Sequence, residues 1–359
     1  MVDVIGLDIG GANTKLTFLR TEGNVIQTLR TSTEYFPIWR RGKERLPAVL
    51  KRLSERTVFP VRVDGVGVTM TAELSDAYQT KREGVNHILD CVQRVFKGIP
   101  IYVLDVEANL RTVEEARVEP IRVAAANWAA TGWMVAQVVK DCIVMDVGST
   151  TTSIIPIRDG RVAAKGKTDL EKLMNGELVY TGVLRTNVAA IVDSIPVRGG
   201  VARVSSELFA QSGDVHLILG NITEEEYTVE TADGRGKTPL EAMARLARVI
   251  CADIEMLTGE ELIKIAEYVY GRQLQQIVEG LMEVYKRVGS RSKMDLPIVV
   301  TGLGRKFLAG KAAQMAGFSR IIDLGDLLGA DAALVSPSVG VALMVASKME
   351  GKIIGWRQS

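Results

Sequence analysis

The chain has 359 residues, 47 % hydrophobic and 24 % charged, which is the composition of a globular protein large enough for two domains. Its 44 basic and 43 acidic residues nearly cancel, so no bulk field favours nucleic acid or an anionic membrane, and neither is expected as a partner. Three scattered cysteines, without a CxxC pair, argue against a disulfide framework, and the N-terminus lacks a signal-peptide pattern, so a cytoplasmic location is expected.

Strand, turn and helix signals alternate along the first part of the chain. Alternating apolar residues and glycine turns predict three strands at 2–8, 15–20 and 25–29. Helices at 46–56, 83–96 and 124–139 alternate with strands at 65–70 and 101–105.

The three-stranded pattern then starts again. Strands are predicted at 142–146, 153–157 and 161–165. Like the first three strands, they follow the order strand, acid, glycine turn, strand, turn and strand. An internal duplication is the simplest explanation. A less regular insertion follows at about 166–235, then helices at 239–257, 260–288, 306–316 and 337–349 and a strand at 297–301. The fold class is α/β. The expected domains are a first lobe at 1–138, a second at 139–335, and a C-terminal helix at 336–359 that packs back on the first.

The first motif, DIGGANTK, begins at Asp8. A strand that ends in an acid and runs through two glycines into another strand suits a phosphate-binding hairpin, because glycine lets backbone N–H groups approach phosphate oxygens. An ordinary β-hairpin with a glycine turn is the alternative. The predicted phosphate ligands here are Gly10, Gly11, Asn13, Thr14 and Lys15.

The second motif, DVGSTTT, begins at Asp146 and places a run of hydroxyl side chains directly after a glycine. Its predicted phosphate ligands are Gly148, Ser149, Thr150 and Thr151. If the two hairpins face each other across a cleft, they clamp a diphosphate from both sides. With only two histidines in the chain, the expected metal is Mg²⁺, held through water by Asp8 and Asp146.

A third motif, Thr301-Gly302-Leu303-Gly304, lies between a predicted strand and a helix. The N-terminus of a helix attracts anions, and glycine lets a flat group stack against the backbone. Alone this motif is only a strand-to-helix turn. Its position after the two hairpins is what makes Gly302 and Gly304 candidate ligands on the adenosine side of a nucleotide site.

These three motifs, in this order, resemble those of the actin-like, sugar-kinase and Hsp70-like ATPase superfamily. The resemblance implies two lobes, each a ribonuclease-H-like mixed sheet with flanking helices. A narrower resemblance, to one branch of the hydantoinase/oxoprolinase-like proteins linked to tetrahydromethanopterin C1 metabolism, is carried by GLDIGGANTK, FPIWRRGKERL, GVTMTAELSDAY, AAANWAATGWMVA, VMDVGSTTTSIIPI and TADGR…RLARVICAD.

In methanogens, the members of this branch resemble an enzyme of methanofuran synthesis. The resemblance implies a transferase that joins γ-glutamyltyramine to an aminomethyl-furanmethyl diphosphate and releases diphosphate. It implies Mg²⁺ as cofactor and these two small molecules as substrates. ATP or ADP is not expected to be required, and homodimer formation stays open.

The candidate bases lie on loops that leave first-lobe strands. Glu73 follows the strand that ends at Met70, and Asp105 follows the next strand. A solvated loop carboxylate or a helix cap is the alternative for each. Other candidates also have structural alternatives: Asn127 as a substrate hydrogen-bond partner, Trp39, Trp128 and Trp133 as stacking platforms, and the basic run from Arg40 to Arg45 as a carboxylate site.

Two other functions fit a phosphate cleft. An ATP-dependent small-molecule kinase, or an oxoprolinase-like enzyme, would form ADP during turnover. A non-catalytic nucleotide sensor would bind nucleotide without turnover. The short adenosine-side motif disfavours the ATP-dependent alternatives without eliminating them.

Overall fold

A computed structural model describes residues 1–58, 62–288 and 292–356. Its strands are β1 (Val2–Ile9), β2 (Asn13–Glu22), β3 (Val25–Tyr35), β4 (Gly65–Met70), β5 (Ile101–Leu104), β6 (Leu110–Arg111), β7 (Cys142–Val147), β8 (Thr152–Arg158), β9 (Arg161–Val162), β10 (Leu178–Val179), β11 (Ser194–Val197), β12 (Gly200–Arg203), β13 (Ile298–Gly302) and β14 (Ile321–Asp323).

The α-helices are α1 (Ile38–Arg41), α2 (Leu46–Thr57), α3 (Lys81–Val95), α4 (Val113–Val118), α5 (Pro120–Val123), α6 (Asn127–Ala136), α7 (Asp169–Met174), α8 (Ser212–Ile218), α9 (Pro239–Arg248), α10 (Gly259–Val288), α11 (Lys311–Met315), α12 (Leu324–Leu328), α13 (Ala330–Leu334) and α14 (Ser336–Glu350). Short 3-10 helices cover Lys43–Arg45, Ala72–Leu74 and Val188–Ala190, and a π-helical turn covers Arg305–Gly310.

The chain divides into two compact units. The first contains Met1–Val144, Ile155–Met174 and the described residues from Ile322 onward, and the second contains Met145–Ile154 and Asn175–Ile321. The last three residues of the predicted segment 336–359 lie outside the described residues.

The first unit is built around a six-stranded sheet in the order β3-β2-β1-β4-β5-β6. Strand β1 pairs antiparallel with β2 and parallel with β4, and β4 pairs parallel with β5. All but one of the residues of β1 are buried, which is typical of a central strand covered on both faces. The carboxyl ends of β1 and β4 therefore lie side by side, where ligands bind in open α/β sheets.

Helix α14 packs closely against β1 and β4, which the strand glycines Gly6, Gly65 and Gly67 permit. A Cβ atom on Gly6 would lie 2.0 Å from the carbonyl oxygen of Ser338, and one on Gly67 would lie 2.9 Å from Val341 Cγ2. Only glycine allows a helix backbone to approach a strand this closely. Twelve of the fifteen α14 residues are buried, so this helix is part of the core of the first unit.

The second sheet resembles the first in its strand order. Its order is β10-β8-β7-β13-β14, with β9 also paired to β8. In both sheets, a hairpin of two consecutive strands lies next to a strand that arrives later in the chain. Two sheets of similar strand order, as the two motifs predicted, are thus present, and the α/β fold class is confirmed.

Helix α10 is the central helix of a hydrophobic core in the second unit. Its buried face includes Leu262, Ile265 and Val269 at helical spacing, and these pack with Leu246 of α9 and Val215 of α8. The predicted helix at 239–257 is shorter in the structure, where α9 ends at Arg248.

The helix stops there because the backbone turns back on itself. Cys251 has a φ of 57°, and the N–H of Ala252 donates to the carbonyl of Ala247. A left-handed residue with such a back-directed hydrogen bond terminates a helix. No Gly or Pro marks this position in the sequence.

Candidate functional site

The first turn, Asp8–Lys15, brings two predicted ligands into contact. Asp8 and Lys15 are register partners across β1 and β2, and the Lys15 ammonium lies 3.0 Å from Asp8 Oδ2. Asp8 is buried, and its Oδ1 atom has no hydrogen-bond partner among the described residues. A buried carboxylate oxygen without a partner is costly unless a ligand or water occupies it.

Thr69 adds a second oxygen beside Asp8, and the sequence motifs did not include it. Thr69 is the register partner of Asp8 across β1 and β4, so both side chains lie on the same face of the sheet. Its hydroxyl is fully buried and, like Asp8 Oδ1, has no partner in the described chain. Only the strand register reveals this pair.

The structure separates Thr14 from Lys15. Thr14 is register partner to Ile9, and adjacent strand residues point to opposite faces, so its buried hydroxyl lies on the face opposite to the Lys15 ammonium. Gly10 donates its N–H to the carbonyl of Asn13, and a Cβ on Gly10 would lie 2.7 Å from that oxygen. Glycine is therefore required by the turn itself.

Glu73 lies in the 3-10 helix just after β4, and its side chain is almost completely buried. Helix α3 packs closely against the 3-10 helix that contains Glu73. A Cβ on Gly84 of α3 would lie 2.5 Å from the Glu73 Cα atom. Neither carboxyl oxygen of Glu73 makes a hydrogen bond of standard geometry within the described residues.

Burial raises the pKa of Glu73 to about 7. Its own amide, the Lys81 ammonium and the Ala125 amide oppose this shift, while Asp169 adds to it. A carboxyl group that titrates near neutral pH is suited to general acid–base catalysis. Glu73 is therefore suited to the role of base that the sequence predicts for it.

Asp105 has a different environment. Its Oδ1 atom accepts hydrogen bonds from the N–H groups of Glu107 and Asn109, at 2.9 and 2.8 Å. Its Oδ2 atom is 2.7 Å from Arg111 Nε and 3.8 Å from the Arg122 guanidinium. These contacts favour a structural part for Asp105 as the anchor of its loop, and its catalytic role stays a prediction.

Three of the other first-unit candidates, Asn127, Trp128 and Lys43, have structural partners. The side-chain oxygen of Asn127 accepts a hydrogen bond from the Trp128 N–H at the start of α6. Trp128 is buried, with the Lys172 ammonium 4.1 Å from its ring centroid. In the basic run, Lys43 forms an ion pair with Glu83 at 2.6 Å.

The second turn, Asp146–Thr152, is a tight hairpin connection in the second unit. The N–H of Gly148 donates to the carbonyl of Thr151 at 2.9 Å, and the hydroxyls of Ser149 and Thr150 lie 3.5 Å apart. The residues from Gly148 to Thr151 are partly exposed.

An arginine that the motifs did not include faces this turn. The loop from Thr181 to Thr186, here called the arginine loop, places the Arg185 guanidinium 3.1 Å from the Thr150 hydroxyl. The N–H groups of Leu184 and Arg185 both donate to the carbonyl of Ser149. Arg185 lies in the predicted insertion, where no local pattern distinguishes it from a solvated surface residue.

The third motif contacts the second turn. Gly302 has a φ of 84°, and a Cβ there would lie 2.7 Å from Asp146 Oδ1 and 2.5 Å from the Val147 carbonyl oxygen. The N–H of Gly304 donates to that same carbonyl at 3.0 Å, and a Cβ on Gly304 would lie 2.5 Å from Val147 Cγ1. Both glycines are therefore needed to bring this motif against β7, independently of any ligand.

Gly148 offers a clean test of ligand approach. A Cβ there would meet only the Thr151 carbonyl at 3.7 Å, an ordinary contact, so Gly148→Ala should fold normally. If phosphate approaches this backbone, the added methyl should weaken diphosphate binding about 10-fold, or about 1.4 kcal/mol, as measured by calorimetry. Gly200→Ala is the matched control, since a Cβ there is also 3.7 Å from a carbonyl. Equal affinity in both variants would remove the turn from the phosphate site.

The described residues hold no group of three or more His, Cys, Asp or Glu side chains that could bind a metal ion by themselves. A hydrated Mg²⁺ held by one or two carboxylates and by phosphate needs no such group. The unsatisfied Asp8 Oδ1 atom fits this kind of site. None of the helices in the described segments is long and apolar enough to span a bilayer.

Comparison with solved structures gives the fold class. An acetone carboxylase, solved nucleotide-free in a study of ATP-dependent acetone carboxylation, matches 95 % of this chain and 70 % of its own, with a TM-score of 0.53 at 11 % identity. At that identity the match shows the fold alone. Together with the two sheets of similar strand order, it defines a protein of the actin, Hsp70 and sugar-kinase-like fold class.

Sequence comparison narrows the class to a family. The hydantoinase/oxoprolinase family model matches residues 64–347. A Methanocaldococcus jannaschii protein named (4-{4-[2-(gamma-L-glutamylamino)ethyl]phenoxymethyl}furan-2-yl)methanamine synthase is 42 % identical over 97 % of this chain and 98 % of its own. A Methanococcus vannielii protein of the same name is 37 % identical over 60 % of this chain and 95 % of its own. The chain belongs to the hydantoinase/oxoprolinase family, in the branch that contains these synthases, as the quoted motifs predicted.

Proposed function

We propose that this protein is the methanofuran-pathway transferase that condenses γ-glutamyltyramine with 5-(aminomethyl)-3-furanmethyl diphosphate. The observation that carries this proposal is the 42 % identity to the Methanocaldococcus jannaschii synthase across nearly the full length of both chains. The site residues support it, because the two turns offer N–H, hydroxyl and ammonium donors suited to an anion, and burial raises the pKa of the Glu73 carboxyl group to about 7.

The reaction is a nucleophilic substitution at a furan-methyl carbon. The phenol oxygen forms a bond to that carbon, the bond from the carbon to the diphosphate oxygen breaks, and diphosphate leaves with the electron pair. The phenol proton must go to a base, since a phenol of pKa about 10 is a weak nucleophile at neutral pH. Glu73 in its carboxylate form is the proposed acceptor of that proton.

The phosphate turns stabilise the leaving group. Lys15 neutralises part of the diphosphate charge, and the N–H and hydroxyl groups from Gly148 to Thr151 donate hydrogen bonds to its oxygens. Donors fixed by the fold are effective because they need no reorganisation when charge develops. Asp8, with Asp146 as the second proposed ligand, would hold Mg²⁺, which supplies further charge neutralisation of the departing diphosphate.

The proposal is tested with nucleotide-free protein, magnesium and the two substrates. Coupled product should form with one diphosphate released per coupling, measured by mass spectrometry and a diphosphate assay. Omitting γ-glutamyltyramine should stop diphosphate release. A strict requirement for ATP, with ADP formed in step with product, would replace this proposal with the kinase-like alternative.

A further inference from the structure

The second unit contains a buried chain of side-chain hydrogen bonds outside the three motifs. Gln273 of α10 is fully buried, and its amide nitrogen donates to the Gly182 carbonyl at 2.8 Å and to the Thr181 hydroxyl at 2.9 Å. Its amide oxygen lies 3.0 Å from Nε2 of His216, which is also fully buried. The Nδ1 atom of His216 lies 3.2 Å from the side-chain amide nitrogen of Asn221.

The donors and acceptors in this hydrogen-bond network fit only one protonation state of His216. Because the Gln273 nitrogen donates twice, its oxygen must accept, so the proton of His216 lies on Nε2. The other ring nitrogen then accepts from Asn221. Burial lowers the pKa of His216 to about 4, which keeps the ring neutral and this arrangement intact at neutral pH.

The arginine loop lies at the end of this hydrogen-bond network opposite to Asn221. The Thr186 hydroxyl accepts a hydrogen bond from the Gly182 N–H at 2.9 Å, which closes the loop on itself. A Cβ on Gly182 would lie 2.6 Å from backbone atoms of Thr150, so the loop lies directly against the second turn. From this position, Arg185 reaches the Thr150 hydroxyl.

We propose that Arg185 binds the diphosphate of the substrate, and that Gln273, held by His216, is the positioning residue that fixes the arginine loop. This inference rests on the proposed function for the identity of the anion. A guanidinium group offers planar, paired N–H donors that match phosphate oxygens. Loss of the Gln273 amide would leave the buried Gly182 carbonyl with only the more distant Thr186 hydroxyl at 3.4 Å as a donor, and the loop would move to satisfy it.

The test is a double-mutant cycle on binding of inorganic diphosphate with magnesium, measured by calorimetry. Arg185→Met and Gln273→Met should each weaken binding about 10-fold. The double variant should bind no more weakly than Arg185→Met alone, because Gln273 acts through the arginine. Gln276→Met is the matched control: Gln276 lies on the same helix and donates to the Ala190 carbonyl, outside the arginine loop.

Unchanged affinity in Arg185→Met would overturn the proposal, and additive losses in the double variant would overturn the positioning role of Gln273. If Gln273→Met does not fold, Gln273→Glu replaces it, since a carboxylate keeps the shape but cannot donate to Gly182. The wild-type coupling assay separates this inference from the proposed function. Wild-type protein that binds diphosphate through Arg185 without coupling the substrates would reject the function and keep the anion site.

Discussion

Replacing Glu73 by Gln should lower turnover at least about 100-fold, the range expected for the loss of a general base. Diphosphate affinity should change little, because the contact with the phenol proton matters mainly in the transition state. In the wild-type protein, kcat should rise with pH through about 7, the pKa to which burial raises Glu73. Steady-state kinetics from pH 5.5 to 8.5 measure both effects.

The same substitution should stabilise the protein at pH 8. The pKa of Glu73 is higher in the folded protein than in the unfolded chain. Its contribution to the free energy of unfolding is therefore favourable below pH 4.5 and is lost as the pH rises through about 7. A neutral Gln avoids the cost of burying the charge, a gain of up to about 3 kcal/mol in the free energy of unfolding. Chemical denaturation at pH 5 and pH 8 measures this difference.

Glu177 provides the control for this prediction. It is as buried as Glu73, but its carboxylate is 2.6 Å from the Arg287 guanidinium. Glu177→Gln should therefore destabilise the fold, because it breaks the ion pair of a buried carboxylate with a partly exposed guanidinium, and it should leave the pH dependence of kcat unchanged. Full turnover in Glu73→Gln, with or without the gain in stability, would show that Glu73 is not the base.

Replacing Asp8 by Asn should lower turnover by about 100-fold or more, the scale of losing a key electrostatic contact. The variant keeps the shape of the side chain, and far-ultraviolet circular dichroism should stay native. Calorimetry should show that magnesium no longer strengthens diphosphate binding as it does in the wild-type protein. Asp146→Asn should lower turnover by a similar factor.

Asp3→Asn is the control on the same strand. Asp3 lies at the opposite end of β1, and its carboxylate is paired with Arg20 at 2.6 Å. This variant should lose some stability and keep both turnover and the response to magnesium. Wild-type turnover in both Asp8→Asn and Asp146→Asn would remove the carboxylates from the proposed metal site.

The sequence predicts the two turns well because their chemistry is local. An acid, a glycine and the hydroxyl or amine that follows lie within eight residues, so a strand–turn–strand reading places them together without knowledge of the fold. The hairpin around Asp8 and Lys15 and the glycine turn at Gly148 have the predicted local form. The duplication of this local pattern also predicts a second sheet of similar strand order.

Residues that depend on tertiary contacts were not predictable in this way. Thr69 is a neighbour of Asp8 only through the β1–β4 register, and Arg185 reaches Thr150 only because the arginine loop packs on the second turn. The two predicted bases differ in their hydrogen bonds. The Asp105 carboxylate accepts hydrogen bonds from N–H groups of its own loop, whereas the Glu73 carboxyl group makes none of standard geometry with the described residues.

The close packing of α14 on β1 and β4 has a consequence for biosynthesis. The strands that form the centre of the first sheet are made within the first 70 residues, whereas α14 begins only at Ser336. While the nascent chain grows between these points, the glycine-lined face of β1 and β4 has no helix to cover it. The first unit therefore cannot complete its core until α14 has been synthesised, and its apolar sheet face stays exposed and prone to aggregation up to that point.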